Sequence, residues 1–398
     1  MSALKVQTED RFVRAFDNLP TDSGMIHSLR DAGMKSFRAL GLPTPHDEAW
    51  RYTSLNEMTS VADAAVIDAS GGVVALSPPA GIRIRPLSQV LADDPALASL
   101  LGSVVACDAL TALNQAFLGD GLWIDVPDDF SSGKPLVLLT TAQGNADRHP
   151  RIMLRMGARS FLRIIETQSI KNLHQGRVCN TVFEATLSEG AELVHSRMQE
   201  GGSVGSLISR VGIRLLRDSK YNSFVVTLGG AKIREDLRVI LEGKDAHCDL
   251  HGLTLGFSND HIDHHTSVEH CVPHTSSKQA YRAIVGEHAT SVYNGRIFVE
   301  HDAQKTDAKQ SSRNLILSQT ATANSKPELE IYADDVKCAH GCTVGRLDDD
   351  AMFYLRSRGL SSEQAMRMLT FAFADEVLDA DASGRVHAWL EQRFGVLS

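Results

Sequence analysis

From about residue 90 to residue 345 apolar and polar side chains alternate with a period of two, the pattern of half-buried strands. Phe183, Ala185 and Leu187 alternate with Glu184, Thr186 and Ser188, and Val211, Ile213 and Leu215 with Arg210, Gly212 and Arg214. Ile233, Glu235, Leu237, Val239 and Leu241 share one face, opposite Arg234, Asp236, Arg238 and Glu242; Glu235 and Ile240 break the pattern. Turn residues separate the runs, as at Ser188-Glu189-Gly190, Gly201-Gly202, Gly229-Gly230, Glu242 to Asp245 and Ser258-Asn259-Asp260. So many short strands, without intervening helices, exceed one ordinary sandwich. They suit a large barrel or a β-solenoid whose coils bury one face against the next. No strict sequence repeat chooses between the two.

Both ends read differently. The first ~90 residues predict helix and then irregular chain: Asp22-Ser23 would cap a helix directing Ile26, Leu29, Met34 and Phe37 to a core and ending near Gly41 and Pro43. The proline-punctuated run Leu42 to Tyr52 reads as a packed loop that anchors this region. At the other end, Asp348-Asp349-Asp350 places negative charge at the start of a helix through Arg358, with Gly359 as its stop. Ser361 and Gln364 form a capping box for a second helix carrying Ala365, Met368, Leu369, Ala372, Phe373 and Val377. A third short helix is expected from Val386 to Phe394. The expected domains are 1–90 (helical), 91–345 (β core) and 346–398 (helical).

The 398 residues include 49 acidic and 40 basic side chains. A net charge of −9 argues against a general nucleic-acid binder, which needs a basic face to neutralise phosphates. No apolar run approaches the roughly 20 residues that cross a bilayer, and Met1 to Asp10 lacks the basic-then-apolar pattern of a signal peptide. The expectation is a cytoplasmic protein with no membrane partner. Cys107, Cys179, Cys248, Cys271, Cys338 and Cys342 are dispersed, as reduced thiols and small buried hydrophobes are, rather than arranged as a disulfide framework.

Two segments carry candidate chemistry. In a strand, His261, Asp263 and His265 would share a face, a ligand set suited to iron or zinc and compatible with a metal-dependent hydrolase; hydrogen-bonded histidines along stacked coils are the alternative. Cys338-Ala339-His340-Gly341-Cys342 would present two thiols and an imidazole on one strand face, ligands for iron, zinc or an iron–sulfur cluster, or else two buried cysteines and a hydrogen-bonded histidine. Phosphate-binding loops, a nucleophile elbow and a dinucleotide fingerprint do not stand out. Nucleotide-driven work would need another subunit. A carbohydrate-active β-helix enzyme is disfavoured, since no paired-carboxylate cleft is evident.

From Asp263 onward the chain resembles the SufB/SufD family of iron–sulfur cluster assembly proteins. The resemblance rests on Asp263-His264-His265-Thr266, Tyr293 to Ile297, Ala303 to Ala308, Asn314 to Ser318, Lys326 to Gly341 and Phe353 to Gly359, in the family's order; Pro43 to Tyr52 is similar to the family's N-terminal region. It implies a right-handed parallel β-helix flanked by helical domains, and a non-catalytic scaffold working with SufB and the ATPase SufC. The SufD branch fits better: Tyr354 to Gly359 is SufD-like, and Ala321 to Lys326 has no thiol where SufB carries its sulfur-accepting cysteine. The resemblance further implies that His340, with Cys338 beside it, meets iron or a transient cluster at the SufB interface, and that no cofactor is held stably by the isolated chain. It places SufC docking on the helices with Phe353, Tyr354, Leu355, Arg356, Arg358, Met368 and Phe373, and leaves a homodimer as the association open to the chain alone. Cys342 departs from the family pattern, where a small residue such as alanine is usual.

Overall fold

A computed structural model describes residues 11–19, 24–55, 67–68, 72–119 and 121–378. The alternating region winds into a parallel β-solenoid of about eight turns, with helices toward both ends and 46% of residues in strands. Successive strands fall alternately on two sheets. The first sheet stacks Leu122–Val126, Arg151–Met156, Val178–Leu187, Ser206–Leu215, Ile233–Leu241, His261–His270, Thr290–Val299 and Thr322–Ile331. The second stacks Leu136–Gly144, Phe161–Leu173, Glu192–Glu200, Lys220–Leu228, His247–Gly256, Ser276–Val285, Asp307–Ile316 and Lys337–Gly345. Two short strands, Arg83–Pro86 and Val73–Leu76, start the sheets antiparallel. The barrel alternative falls: among the described residues each sheet runs as an open path from one edge strand to another.

The repeat that the sequence hides is conformational. Arg159, Gly190, Asp218, Asp245, His274 and Lys305 all have φ between 54° and 69°, in steps of 27 to 31 residues. One left-handed residue per turn bends the chain from the first sheet to the second. Glycine takes this conformation freely and aspartate at modest cost, so corner identity drifts while corner geometry stays.

Because the first-sheet ladders from Val178–Leu187 to Thr322–Ile331 run without slippage, inward positions there stack into columns along the solenoid axis. One column is Thr181, Ser209, Glu235, His264, Tyr293 and Ser325. In the coils up to Ile233–Leu241 its neighbours are apolar, and Phe183, Val211, Leu237, Ala185, Ile213 and Val239 belong to the main core. Glu235 thus breaks the apolar pattern because it lies on a polar seam inside the core. It is 1% exposed, and its carboxylate lies 2.7 Å from the Arg197 guanidinium and accepts from Gln199 Nε2 at 2.7 Å.

Helices cover the outer faces. The helix Met25–Leu40 buries Met34 and Phe37 as expected, and Gly33 with them, while Ile26 and Leu29 are half-buried. Gly24 precedes it without a side-chain cap; Asp22 and Ser23 lie outside the described residues. The period-two reading also passed over two short helices, Leu87–Asp93 and Ala109–Ala116. The second is buried almost all round, packing Phe12, Met34 and Phe37 against Val178 and Ile208 on the outside of the first sheet. Asp349–Ser357 is capped by Asp348, and Ser361 and Gln364 form the reciprocal box, Gln364 N donating to Ser361 Oγ (3.1 Å) and Ser361 N to Gln364 Oε1 (2.8 Å). The helix Ser362–Leu378 lays Ala374, Val377 and Leu378 on Phe224, Leu253, Leu255 and Ile284 outside the second sheet. The expected helix Val386 to Phe394 lies outside the described residues.

Buried neutral histidines give this fold an acid limit. Burial pushes His270 down to about 4, and its ring nitrogens meet Thr275 Oγ1 (2.8 Å) and Ser277 Oγ (3.0 Å). Burial pushes His149 down to about 3. In the unfolded chain each binds its proton near pH 6.5, so below that pH the unfolded state takes up protons that the native state refuses. Stability is then full above about pH 6.5 and falls as pH drops toward 4, by up to about 3 kcal/mol for His270. Urea midpoints between pH 7.5 and 4.5 should show this loss, with a smaller slope in His270→Gln; equal slopes in the two proteins would exclude His270 as its source.

Candidate functional site

The solenoid ends on two edge strands, Thr322–Ile331 in the first sheet and Lys337–Gly345 in the second. The latter pairs with Asp307–Ile316, so that Cys338, His340, Cys342 and Val344 lie over Ala308, Gln310, Ser312 and Asn314. Those four partners are buried and face inward. Cys338, His340 and Cys342 therefore share one face, as the spacing predicts, and it is the inward face of the final coil. Among the described residues this end is open: Cys338 is half-buried, His340 and Cys342 are exposed, and Val344 keeps 49% of its surface.

Beneath the opening lies a polar floor. Gln310 Nε2 donates to Tyr293 Oη (3.0 Å), which donates to Gln279 Oε1 (3.3 Å), and Thr266 Oγ1 donates to the same oxygen at 2.6 Å. Ser325 Oγ meets Ser312 Oγ at 3.0 Å. Gly295 makes the floor possible, since a Cβ there would collide with the Gln310 amide nitrogen and come within 2.6 Å of Tyr293 Oη. Gln279, Gln310 and Ser312 escaped sequence reasoning; Thr266, Tyr293, Gly295 and Ser325 stood out only within the family-like runs.

Cys338, His340 and Cys342 do not converge. Same-face positions on a strand are about 6.8 Å apart, and among the described residues no group of three or more His, Cys, Asp or Glu side chains could hold a metal ion. The opening offers single ligands in a row, each needing partners from elsewhere. Burial raises the Cys338 thiol above its ordinary range, so metal binding there would have to displace a proton.

His261, Asp263 and His265 also share a face, on the outside of the first sheet, but they are engaged in a joint. Thr53 Oγ1 lies 2.9 Å from His261 Nε2 and donates to Asp263 Oδ2 at 2.5 Å. Arg234 Nη1 donates to the same oxygen (2.9 Å) and to Ala49 O (2.7 Å), while its guanidinium lies 3.8 Å from the Trp50 ring centroid. His265 Nε2 is 2.9 Å from Asp263 Oδ1. Burial alone would raise the Asp263 carboxyl, but His265 and Arg234 outweigh it and bring it down to about 2. An arginine held against the carboxylate occupies the place a cation would need. The Leu42 to Tyr52 segment anchors through buried Leu42 and Trp50 and through the Ala49 carbonyl, while Pro45 and Tyr52 are exposed, so it is packed less fully than its prolines and aromatics suggest; the metal-dependent hydrolase finds no support here.

Residues 138–373 match the family model described as the SufBD core domain of the SUF system for FeS cluster assembly. This chain belongs to the SufBD family. It is 28% identical to an iron–sulfur cluster assembly SufBD family protein of Synechocystis over 399 residues, covering 90% of this chain and 88% of that protein. It is also 28% identical to the iron–sulfur cluster assembly protein SufD of Escherichia coli, covering 85% of each. A chloroplastic protein of Arabidopsis thaliana is 25% identical over 90% of this chain and 83% of its own. SUF iron–sulfur cluster assembly is the general role of this family.

The helical hairpin after the solenoid presents most of the expected docking residues to solvent. Phe353 is 73% exposed and Tyr354 57%, with Arg358 over the Tyr354 ring at 5.2 Å. Arg356 and Met368 are exposed and Leu355 is half-buried. Phe373 faces the chain's own solenoid instead: Arg282 lies 4.9 Å from its ring centroid and donates to its carbonyl at 2.8 Å. No helix among the described residues is long and apolar enough to cross a membrane.

Proposed function

We propose that this chain is a SufD-type scaffold of the SUF system, joined to SufB through the open end of its solenoid and to the ATPase SufC through the Asp349–Ser357 and Ser362–Leu378 hairpin. The observation that carries this reading is the uncovered inward face of the last coil, where Cys338 and His340 stand without the partners needed to complete a coordination sphere. Iron or a nascent cluster is the cargo at that seam, with the remaining ligands supplied by SufB. ATP turnover belongs to SufC, and this chain performs no catalysis of its own. In the absence of SufB, the same open end would pair two copies of the chain. The six free cysteines suit a reducing cytoplasm.

The hairpin supports a route for coupling. Val377 and Leu378 pack on the second sheet, whose last strand carries His340, while Phe353 and Tyr354 face outward. A nucleotide-driven clamp pulling on the outward face would shift the population of seam geometries. Co-expression with SufB and SufC followed by affinity purification tests the proposal. A stable three-protein complex that acquires a cluster is expected, and failure to copurify with either partner would overturn it.

A further inference from the structure

We infer that Gln310 is a positioning residue that fixes the orientation and tautomer of His340; this rests on the reading of His340 given above. The amide of Gln310 is 3% exposed and held on one side only: its nitrogen donates to Tyr293 Oη, while Oε1 is buried and has no partner. A buried carbonyl oxygen left unsatisfied is costly enough to be rare in native structures. Its neighbours account for the nitrogen side alone. Tyr293 is itself tied to Gln279 and Thr266, and Gly295 is bare so that the Gln310 side chain can reach across the lumen.

The ladder offers Gln310 two register neighbours: Gln279 on the preceding strand, whose Nε2 is also buried without a partner while its Oε1 is held by Thr266 and Tyr293, and His340 on the next. His340 lies on the same inward face as Gln310. Parallel strands lie about 4.8 Å apart, so an imidazole over an amide is within hydrogen-bond reach after a rotamer change. The nearby Ser312 hydroxyl is already engaged with Ser325 and Asn314. An imidazole N–H donated to Gln310 Oε1 leaves the other ring nitrogen unprotonated and turned outward across the open end, the state a metal requires of histidine. No bond is made or broken; the amide selects one of two tautomers.

The test uses the complex with SufB and SufC, with the histidines of this chain labelled with nitrogen-15. One dominant tautomer is expected for His340 in the native complex and a mixture in Gln310→Leu, with cluster loading reduced about tenfold, the scale of losing a residue that orients a metal-binding histidine. Gln310→Glu keeps an acceptor oxygen and should restore both. If Gln310→Leu fails to fold, Tyr293→Phe, which frees the amide to turn, should mix the tautomers in its place. An unchanged tautomer ratio in the variant that folds, or a Gln310→Glu protein that restores neither signal, overturns the inference. Normal loading in His340→Ala would overturn the role of His340 instead, and the tautomer signal would still decide whether Gln310 orients it.

Discussion

Glu235→Leu is expected to lower the stability of the chain by about 3–5 kcal/mol, the scale set by stripping a buried ion of its partner. Glu235 and Arg197 are both 1% exposed, and their charged groups lie 2.7 Å apart. Burial alone would push the Arg197 guanidinium down; the Glu235 carboxylate outweighs it and holds it above the ordinary arginine range. Removing the carboxylate therefore leaves a cation that cannot shed its charge, and also takes one of the two acceptors of the Gln199 amide, which keeps only Gln168 Oε1 at 3.2 Å. The size of a leucine side chain is not the difficulty, because Leu237 and Val239 occupy the same face. Arg197→Met combined with Glu235→Leu should accordingly recover most of the loss, since a buried pair exchanged for apolar groups of similar volume is often neutral or stabilising. Chemical denaturation followed by circular dichroism reads the effect as a shift in midpoint. A single substitution costing under about 1 kcal/mol would mean that water reaches the seam and solvates Arg197.

That pair also marks where sequence reasoning stopped. Strand positions were legible because inward and outward faces alternate in hydropathy: Val211, Ile213 and Leu215 point inward as their spacing predicts. Solenoid topology was not, because coil-to-coil pairing is set by corners, and the corners conserve a left-handed backbone rather than a residue type, with Gly190, Asp218, His274 and Lys305 serving alike. The capping box at Ser361 was legible because both of its hydrogen bonds are local. By contrast, Glu235 reads as a misfit and Arg234 only as one of the charges on the opposite, polar face. Each is buried by a partner far along the chain: Arg197 for the first, Ala49 and Trp50 for the second. The same limit applies at the open end. Spacing alone put Cys338, His340 and Cys342 on one face, whereas Gln310 and its unpartnered oxygen emerge only when the next coil is stacked beneath.

His340→Ala should leave the complex with SufB and SufC assembled while cutting cluster loading by more than tenfold. His340 is exposed on the last strand, so deleting its ring costs the isolated chain no buried contact, and the backbone ladder to Asp307–Ile316 is untouched. Losing a residue that merely orients a metal ligand commonly costs about 10–100-fold; if His340 is a ligand, as the proposed function has it, losing it should cost at least as much. Cys338→Ser should give a smaller loss, because burial keeps that thiol protonated and any metal would have to displace the proton. Cys342→Ala should have little effect, since the resemblance that singles out His340 and Cys338 implies no role for this exposed thiol. Purified complexes assayed for iron, sulfide and visible absorption separate these cases. Normal loading in His340→Ala would remove the imidazole from cluster formation. A complex that falls apart would instead make His340 a packing residue of the SufB seam, and the cargo would have to be held by SufB alone.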